Sequence, residues 1–210
     1  MPFYKQIPNE FGWIGTWKLT EKPEELIQLV QLQPEDQKRF ENMQSEKRKT
    51  EFLAARILVK MALGKDPLLI YNEFGKPFLT NNSKHLSISH SADFASVFIS
   101  DQKNGIDIEQ TERNIDRVAT RFLHDEERRF ISKLNHLQPA KIGYWSAKEA
   151  IFKCSDEHGI QFNNHIRIEG FEASDGHRFK GQLQLKDQTV YYNLYFHYLE
   201  NNVLVYGVEL

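Results

Sequence analysis

At 210 residues, with 40% apolar and 27% charged side chains, the chain can bury a sizeable core as one large domain or two small halves. A formal charge of -2 excludes a global electrostatic pull toward nucleic acid. A single cysteine, Cys154, excludes an internal disulfide framework and fits a reducing compartment. No apolar run reaches the length of a membrane span. The opening MPFYKQIPNEFGW lacks a basic region followed by an apolar run, so no secretory signal is expected and the cytoplasm is the default compartment.

Taken in order, Gly12 to Leu19 alternates and predicts an early strand. Thr20 is the expected cap of a helix opening with Pro23, Glu24 and Glu25, and Pro34 restarts the helical pattern. Ser45 is the expected N-cap of a longer helix that runs to Leu63 and is closed by Gly64. Lys47, Arg48, Lys49 and Arg56 give that helix a basic rim, which is either a solvated face or a phosphate site. Asn72 to Pro77 reads as a turn, Leu86 to Ser91 and Phe94 to Ile99 as strands. After a tight polar loop comes a further strand, Gly105 to Glu109. Asp116–Phe122 and Asp125–Leu134 read as short helices, and Pro139 opens a long one that carries Trp145, Glu149 and Lys153. Phe179–Leu185, Thr189–Leu199 and Val203–Val208 predict a meander, with Asn201–Asn202 as a hairpin turn.

Helices and strands segregate twice, which predicts an α+β chain of two comparable halves, 1–104 and 105–210. No linker rich in Gly, Pro or Ser separates them, so they are expected to pack as one unit.

The chemistry concentrates in the second half. On the strand Gly105–Glu109, Ile106 and Ile108 take one face and Asp107 and Glu109 the other. Two adjacent acids repel each other unless a cation lies between them. They could also be an exposed edge facing water. Glu149 and Lys153 lie one turn apart, which is the spacing of an ordinary surface pair. Trp145 continues the same face, however, and argues against free solvation. If Glu149 meets the strand pair, three carboxylates converge in a set suited to magnesium and a phosphate-bearing ligand. Ser89-His90-Ser91 is either a hydrogen-bonded turn or a phosphate-binding strand end. Zinc, nucleophile-elbow, Walker and dinucleotide motifs have no support.

In order and spacing, four stretches across roughly residues 45 to 155 resemble the 4'-phosphopantetheinyl transferase superfamily, of the surfactin-synthetase-activating type. They are Gly75-Lys76-Pro77, Ser87 to Ser91, Gly105 to Glu109, and Trp145 to Lys153, with Arg121 to Glu127 resembling the link between the last two. The resemblance implies two similar α+β halves related by a pseudo-twofold, with the active site in the cleft between them. The N-terminal half would take the nucleotide end of coenzyme A, and the C-terminal half would carry the metal and catalytic motifs. The implied reaction moves 4'-phosphopantetheine from coenzyme A to a serine hydroxyl of an apo acyl or peptidyl carrier protein and releases adenosine 3',5'-bisphosphate. Asp107, Glu109 and Glu149 would hold Mg2+, and Glu149 would also take the serine proton. Lys153 would act on the leaving phosphate, with Lys148 assisting. Ser89 and His90 would contact the phosphates and Lys76 the adenosine end. Arg48 is the choice for the 3'-phosphate, with Lys47 or Arg56 as alternatives. A monomer is expected, with no nucleic acid or membrane partner.

Two departures are visible. Asn104 stands where the family has an apolar residue, which predicts a later start to the strand. Leu123-His124-Asp125 replaces the commoner Phe-Ser-Pro. The competing readings are a non-catalytic module that binds coenzyme A or a carrier protein, and a magnesium-dependent phosphoesterase built on the same acids.

Overall fold

The structure, a computed structural model, describes residues 2–80, 82–134 and 137–210. It divides into two compact units, Met1–Asp101 and Gln102–Leu210, so the division falls a few residues before the expected one. The fold is mixed α+β, as the order of elements predicts. Among the described residues no helix is long and apolar enough to cross a membrane.

Unit 1 is an antiparallel sheet covered by one long helix. Strands β1 (Phe3–Ile7), β2 (Gly12–Lys18), β5 (His85–His90) and β6 (Phe94–Ser100) pair in the order β1-β2-β6-β5. Between β2 and β5 the described residues form α-helices, a short 3-10 turn at Ile27–Leu29 and a small hairpin. The helices are α1 (Pro23–Leu26), α2 (Pro34–Glu41) and the 18-residue α3 (Glu46–Leu63). The hairpin is β3 (Leu69–Tyr71) with β4 (Pro77–Leu79). The ends of α3 are those the sequence predicts. The Ser45 hydroxyl accepts the Arg48 N–H at 3.4 Å, and Gly64 takes the left-handed conformation at φ 70°. Leu53, Ala54, Ile57, Leu58 and Val59 of α3 are buried with Trp17, Val97 and Ile99 of the sheet. Helix α1 is a single turn capped at Lys22, not at Thr20. The Glu25 carboxylate accepts the Lys22 N–H at 3.0 Å and fixes the start there.

Unit 2 repeats the theme with a larger sheet. Strands β7 (Asn104–Gln110), β8 (Ile166–Ile168), β9 (Arg178–Gln184), β10 (Thr189–Leu199) and β11 (Asn202–Glu209) pair antiparallel in the order β7-β11-β10-β9-β8. The helices are α4 (Ala119–Phe122), α5 (Asp125–Ile131), the 18-residue α6 (Leu137–Cys154) and α7 (Phe162–His165). Helix α6 lies across the sheet, and Ile142, Ala147, Ala150 and Ile151 bury against Ile166, Leu183, Leu194 and Val205. Cys154, the last residue of α6, is 2% exposed.

Two local expectations are corrected. Strand β7 begins at Asn104 and not later, because Asn104 is buried and pairs with Val208 of β11. The β10–β11 turn is Glu200–Asn201, since Asn202 already pairs with Leu199. Glu200 takes a positive φ of 50° there, without the glycine that usually marks such a position.

Candidate functional site

Unit 2 gathers the acidic and basic groups of the two main motifs. Gly105, Asp107 and Glu109 all point from β7 toward α6, as period-two alternation requires. Gly105 is needed for the approach, because a Cβ there would lie 1.8 Å from the Ala150 carbonyl oxygen of α6. With the backbones this close, side chains from α6 reach the strand acids directly. Lys153 Nζ donates to Asp107 Oδ1 at 2.7 Å and to the Ile106 carbonyl at 3.1 Å. The Trp145 indole N–H donates to Glu109 Oε1 at 3.1 Å. Its ring packs edge-on against Phe122, with centroids 5.2 Å apart. Glu109 and Glu149 are therefore half-buried groups, not a solvated surface.

The electrostatics follow from this crowding. Burial pushes the Glu149 carboxyl up from its ordinary 4.5 to about 7. The negative charges of Asp107 and Glu109 push the same way, and Lys153 opposes them. Burial and Asp107 also raise Glu109, against the pull of Arg113. The charges of Asp107 and Glu109 on β7 are thus felt at Glu149 on α6. Among the described residues, no group of three His, Cys, Asp or Glu side chains stands ready to coordinate a metal. Asp107 and Glu109 are turned instead toward Lys153 and Arg113. The donor set still suits a hard divalent cation: it is all oxygen, and its charges cost energy when ionised together.

Arg113 was not singled out from sequence. It ion-pairs with Glu109, and its guanidinium lies 5.4 Å from the Trp145 ring centroid. The only local signal is an Arg four positions after the acid.

Lys148 is the main departure. It is fully buried, and its Nζ donates to the Phe122 carbonyl (2.7 Å), Glu127 Oε2 (2.7 Å), the Ile166 carbonyl (2.9 Å) and the Phe162 carbonyl (3.2 Å). The structure turns it away from the strand acids into the interior of unit 2, so it does not join the group expected to touch coenzyme A. A hollow of about 760 Å³ lies beside this lysine's partner and is lined by Glu127, His124, Arg167 and Lys180; none of the strand acids lines it.

Unit 1 holds the remaining candidates around a hollow of about 400 Å³. Arg48, Glu51, Phe52, Ala55 and Arg56 line it from α3 at helical spacing, Ile88 and His90 from β5, and Tyr71, Gly75 and Pro77 from the hairpin. Arg48 and His90 thus share one concavity with the Gly75–Pro77 turn. His90 Nδ1 lies 3.3 Å from Glu51 Oε2. The turn is held by the Asn72 carboxamide oxygen, which accepts the N–H groups of Phe74 (3.0 Å) and Lys76 (2.9 Å), and by Gly75 at φ 82°. Ser89 alternates with Ile88 and His90 and is buried on the other face of β5, and the Lys76 ammonium lies 5.8 Å from the Phe78 ring, so neither side chain lines the hollow.

Arg56 does not stay on the expected basic rim. It is 3% exposed and forms a two-point ion pair with Asp36, at 3.1 and 2.8 Å, and it also donates to the Tyr71 hydroxyl. Its charge is already compensated, which leaves Arg48 and Lys47, both exposed, of the three candidates for the 3'-phosphate.

A family model, the 4'-phosphopantetheinyl transferase superfamily, matches residues 104–206. The matched segment carries β7 and α6 and makes up just under half of the chain. Similar proteins include a curated 4'-phosphopantetheinyl transferase, gsp, of Aneurinibacillus migulanus, 34% identical over 84 residues. That match covers 39% of this chain and spans about a third (35%) of the relative's length. A solved structure, Thermotoga maritima holo-[acyl-carrier-protein] synthase, matches at 18% identity and a TM-score of 0.36, over 51% of this chain and 62% of the other.

Proposed function

We propose that the protein transfers the 4'-phosphopantetheine group of coenzyme A to a serine hydroxyl of an apo acyl or peptidyl carrier protein, with Mg2+, and releases adenosine 3',5'-bisphosphate. The observation that carries this reading is the contact of Lys153 on α6 with Asp107 on β7, together with the Trp145–Glu109 hydrogen bond, inside the segment matched by the superfamily.

In the reaction the serine oxygen bonds to the phosphorus next to pantetheine while the bond to the bridging pyrophosphate oxygen breaks. Such transfers need positioning and charge neutralisation more than covalent help from the protein. Asp107, Glu109 and Glu149 would hold the magnesium, which when bound supplies Lewis-acid neutralisation of the pyrophosphate. Glu149 takes the serine proton, directly or through a water, and a cation beside it keeps it ionised at neutral pH. Lys153 would stabilise the leaving phosphate. In unit 1, Arg48 and His90 line a hollow that would take the nucleotide end of coenzyme A.

The test is the intact mass of an apo carrier protein incubated with this protein, coenzyme A and Mg2+, alongside an EDTA control. The expected result is a gain of one phosphopantetheine that EDTA abolishes. Coenzyme A binding without any gain on several carriers would point instead to a non-catalytic module, and release of phosphate or pantetheine to water to a phosphoesterase.

A second expectation concerns Arg48. Arg48→Ala should raise KM for coenzyme A by roughly tenfold with kcat little changed, the value of one lost charge-assisted phosphate contact. With 3'-dephospho-coenzyme A, the wild type and the variant should perform alike. A variant equally impaired with both donors would remove Arg48 from the 3'-phosphate.

A further inference from the structure

The residue before the proposed base is a lysine buried at 0% exposure, and nothing in the proposed chemistry uses it. All four groups around Lys148 Nζ are acceptors: Glu127 Oε2 and the carbonyls of Phe122, Phe162 and Ile166. The nitrogen is therefore the ammonium, with its three protons shared among directional partners. Glu127, itself 4% exposed, is just as fully engaged. Its Oε2 also accepts the His124 N–H at 2.8 Å, closing the cap of α5, and its Oε1 accepts the Ile168 N–H of β8 at 2.9 Å. One ion pair thus joins the end of α4, the start of α5, the middle of α6, the start of α7 and the edge strand β8.

The location of this junction on α6 is what matters. Successive residues on a helix are about 100° apart, so Lys148 and Glu149 diverge by a little more than a quarter turn. Apolar side chains on a sheet allow a helix to roll, because their contacts have no direction. On the β7 side, the close approach of Ala150 to Gly105 fixes the distance between helix and strand. On the other side, an ammonium held by four oriented oxygens fixes the roll. A roll of α6 would carry Glu149 and Lys153 past Asp107 and Glu109 together.

We propose that the Lys148–Glu127 pair is a positioning device for the transfer reaction: it sets the rotation of α6 at which Glu149 and Lys153 face the β7 acids. This rests on the function proposed above. It makes both residues positioning residues that touch neither coenzyme A nor the carrier serine. It also accounts for a costly choice, since a well-packed apolar pair would often hold the core as well as a buried ion pair does.

Three variants test the proposal. Lys148→Met alone strands a buried carboxylate and serves as the destabilised reference. Lys148→Met/Glu127→Gln removes both charges and should recover most of the lost melting temperature. Glu127→Asp keeps the charge but shortens its reach, so it provides a second folded variant whether or not the double variant folds. In the folded variants kcat should fall roughly tenfold to a hundredfold, as expected when reacting groups are misplaced by about an ångström. KM for coenzyme A should stay within about twofold of wild type, since uniform binding is untouched.

A second readout needs no activity. The Trp145 indole N–H reports the seating of α6 on β7 through its bond to Glu109, and its NMR cross-peak should shift in Glu127→Asp and in the double variant. Folded variants with wild-type kcat and an unmoved indole peak would overturn the proposal and leave the pair as core structure only. If the wild type transfers nothing to any carrier, the function proposed above fails, and the indole peak alone then decides whether the pair sets the roll of α6.

Discussion

Glu149→Gln should abolish phosphopantetheine transfer and leave the fold intact. The amide matches the carboxylate in size, so the packing of α6 is unchanged, but it cannot accept a proton and is a poor ligand for magnesium. Loss of a general base alone costs about 10²–10⁴ in rate, and the weakened hold on the metal adds to that. The variant also has a signature without substrate. Burial and the neighbouring carboxylates hold the Glu149 carboxyl above its ordinary value, at about 7. Between about pH 4.5 and 7 the folded metal-free protein therefore keeps a proton that the unfolded chain has lost. Stability should accordingly fall as pH rises through that window, by at most roughly 3–4 kcal/mol, and level off above it. In Glu149→Gln this slope should shrink, and denaturant melts of the metal-free proteins across that range would measure it. Turnover near wild type would remove Glu149 from the mechanism; an unchanged slope would mean that its carboxyl is not held up.

Gly105→Ala should damage stability and activity together. The new methyl group would sit 1.8 Å from the Ala150 carbonyl oxygen and 3.0 Å from the Cys154 nitrogen. Both obstacles are helix backbone, so no rotamer change relieves the clash and α6 must lift from β7. Overpacking of this kind typically costs about 1–3 kcal/mol, and for a chain of this size the melting temperature should drop by roughly 5–10 °C. Lifting α6 also parts Lys153 from Asp107 and Trp145 from Glu109, so activity should fall even at temperatures where the variant is folded. Thermal melts and carrier-modification rates on the same samples test both statements. A variant that melts with the wild type would mean that helix and strand are not this close.

What could be read from the sequence was mostly local. Ser45 and Gly64 mark the ends of α3 because caps are decided within a few residues. The alternation from Gly105 to Glu109 gave β7 and its acidic face, and the spacing of Trp145, Glu149 and Lys153 gave the face of α6 that meets it. What escaped depends on partners distant in sequence. Arg56 looked like a surface cation because Asp36, twenty positions away, is invisible to periodicity. Lys148 was expected at the substrate from the resemblance alone, and its buried partners, 14 to 26 positions away, leave no local signal that would have redirected it. Strands β3 and β4 are three residues each, too short to show a period. The cap at Lys22 and the positive-φ position at Glu200 went to residues of low intrinsic preference for them.

The position of Cys154 gives the protein a built-in reporter. It is the sole thiol of the chain, it is 2% exposed, and it ends the helix that carries Glu149 and Lys153. A thiol reagent can reach it only when the last turn of α6 opens, so the labelling rate at excess reagent measures that opening in the unmodified protein. Desulfo-coenzyme A, which lacks the competing thiol of coenzyme A, together with magnesium should slow labelling in proportion to the free energy with which they close that turn, if they tie Lys153 and Glu149 to β7. Ligand binding could then be followed without a carrier protein, a chromophore or an engineered probe.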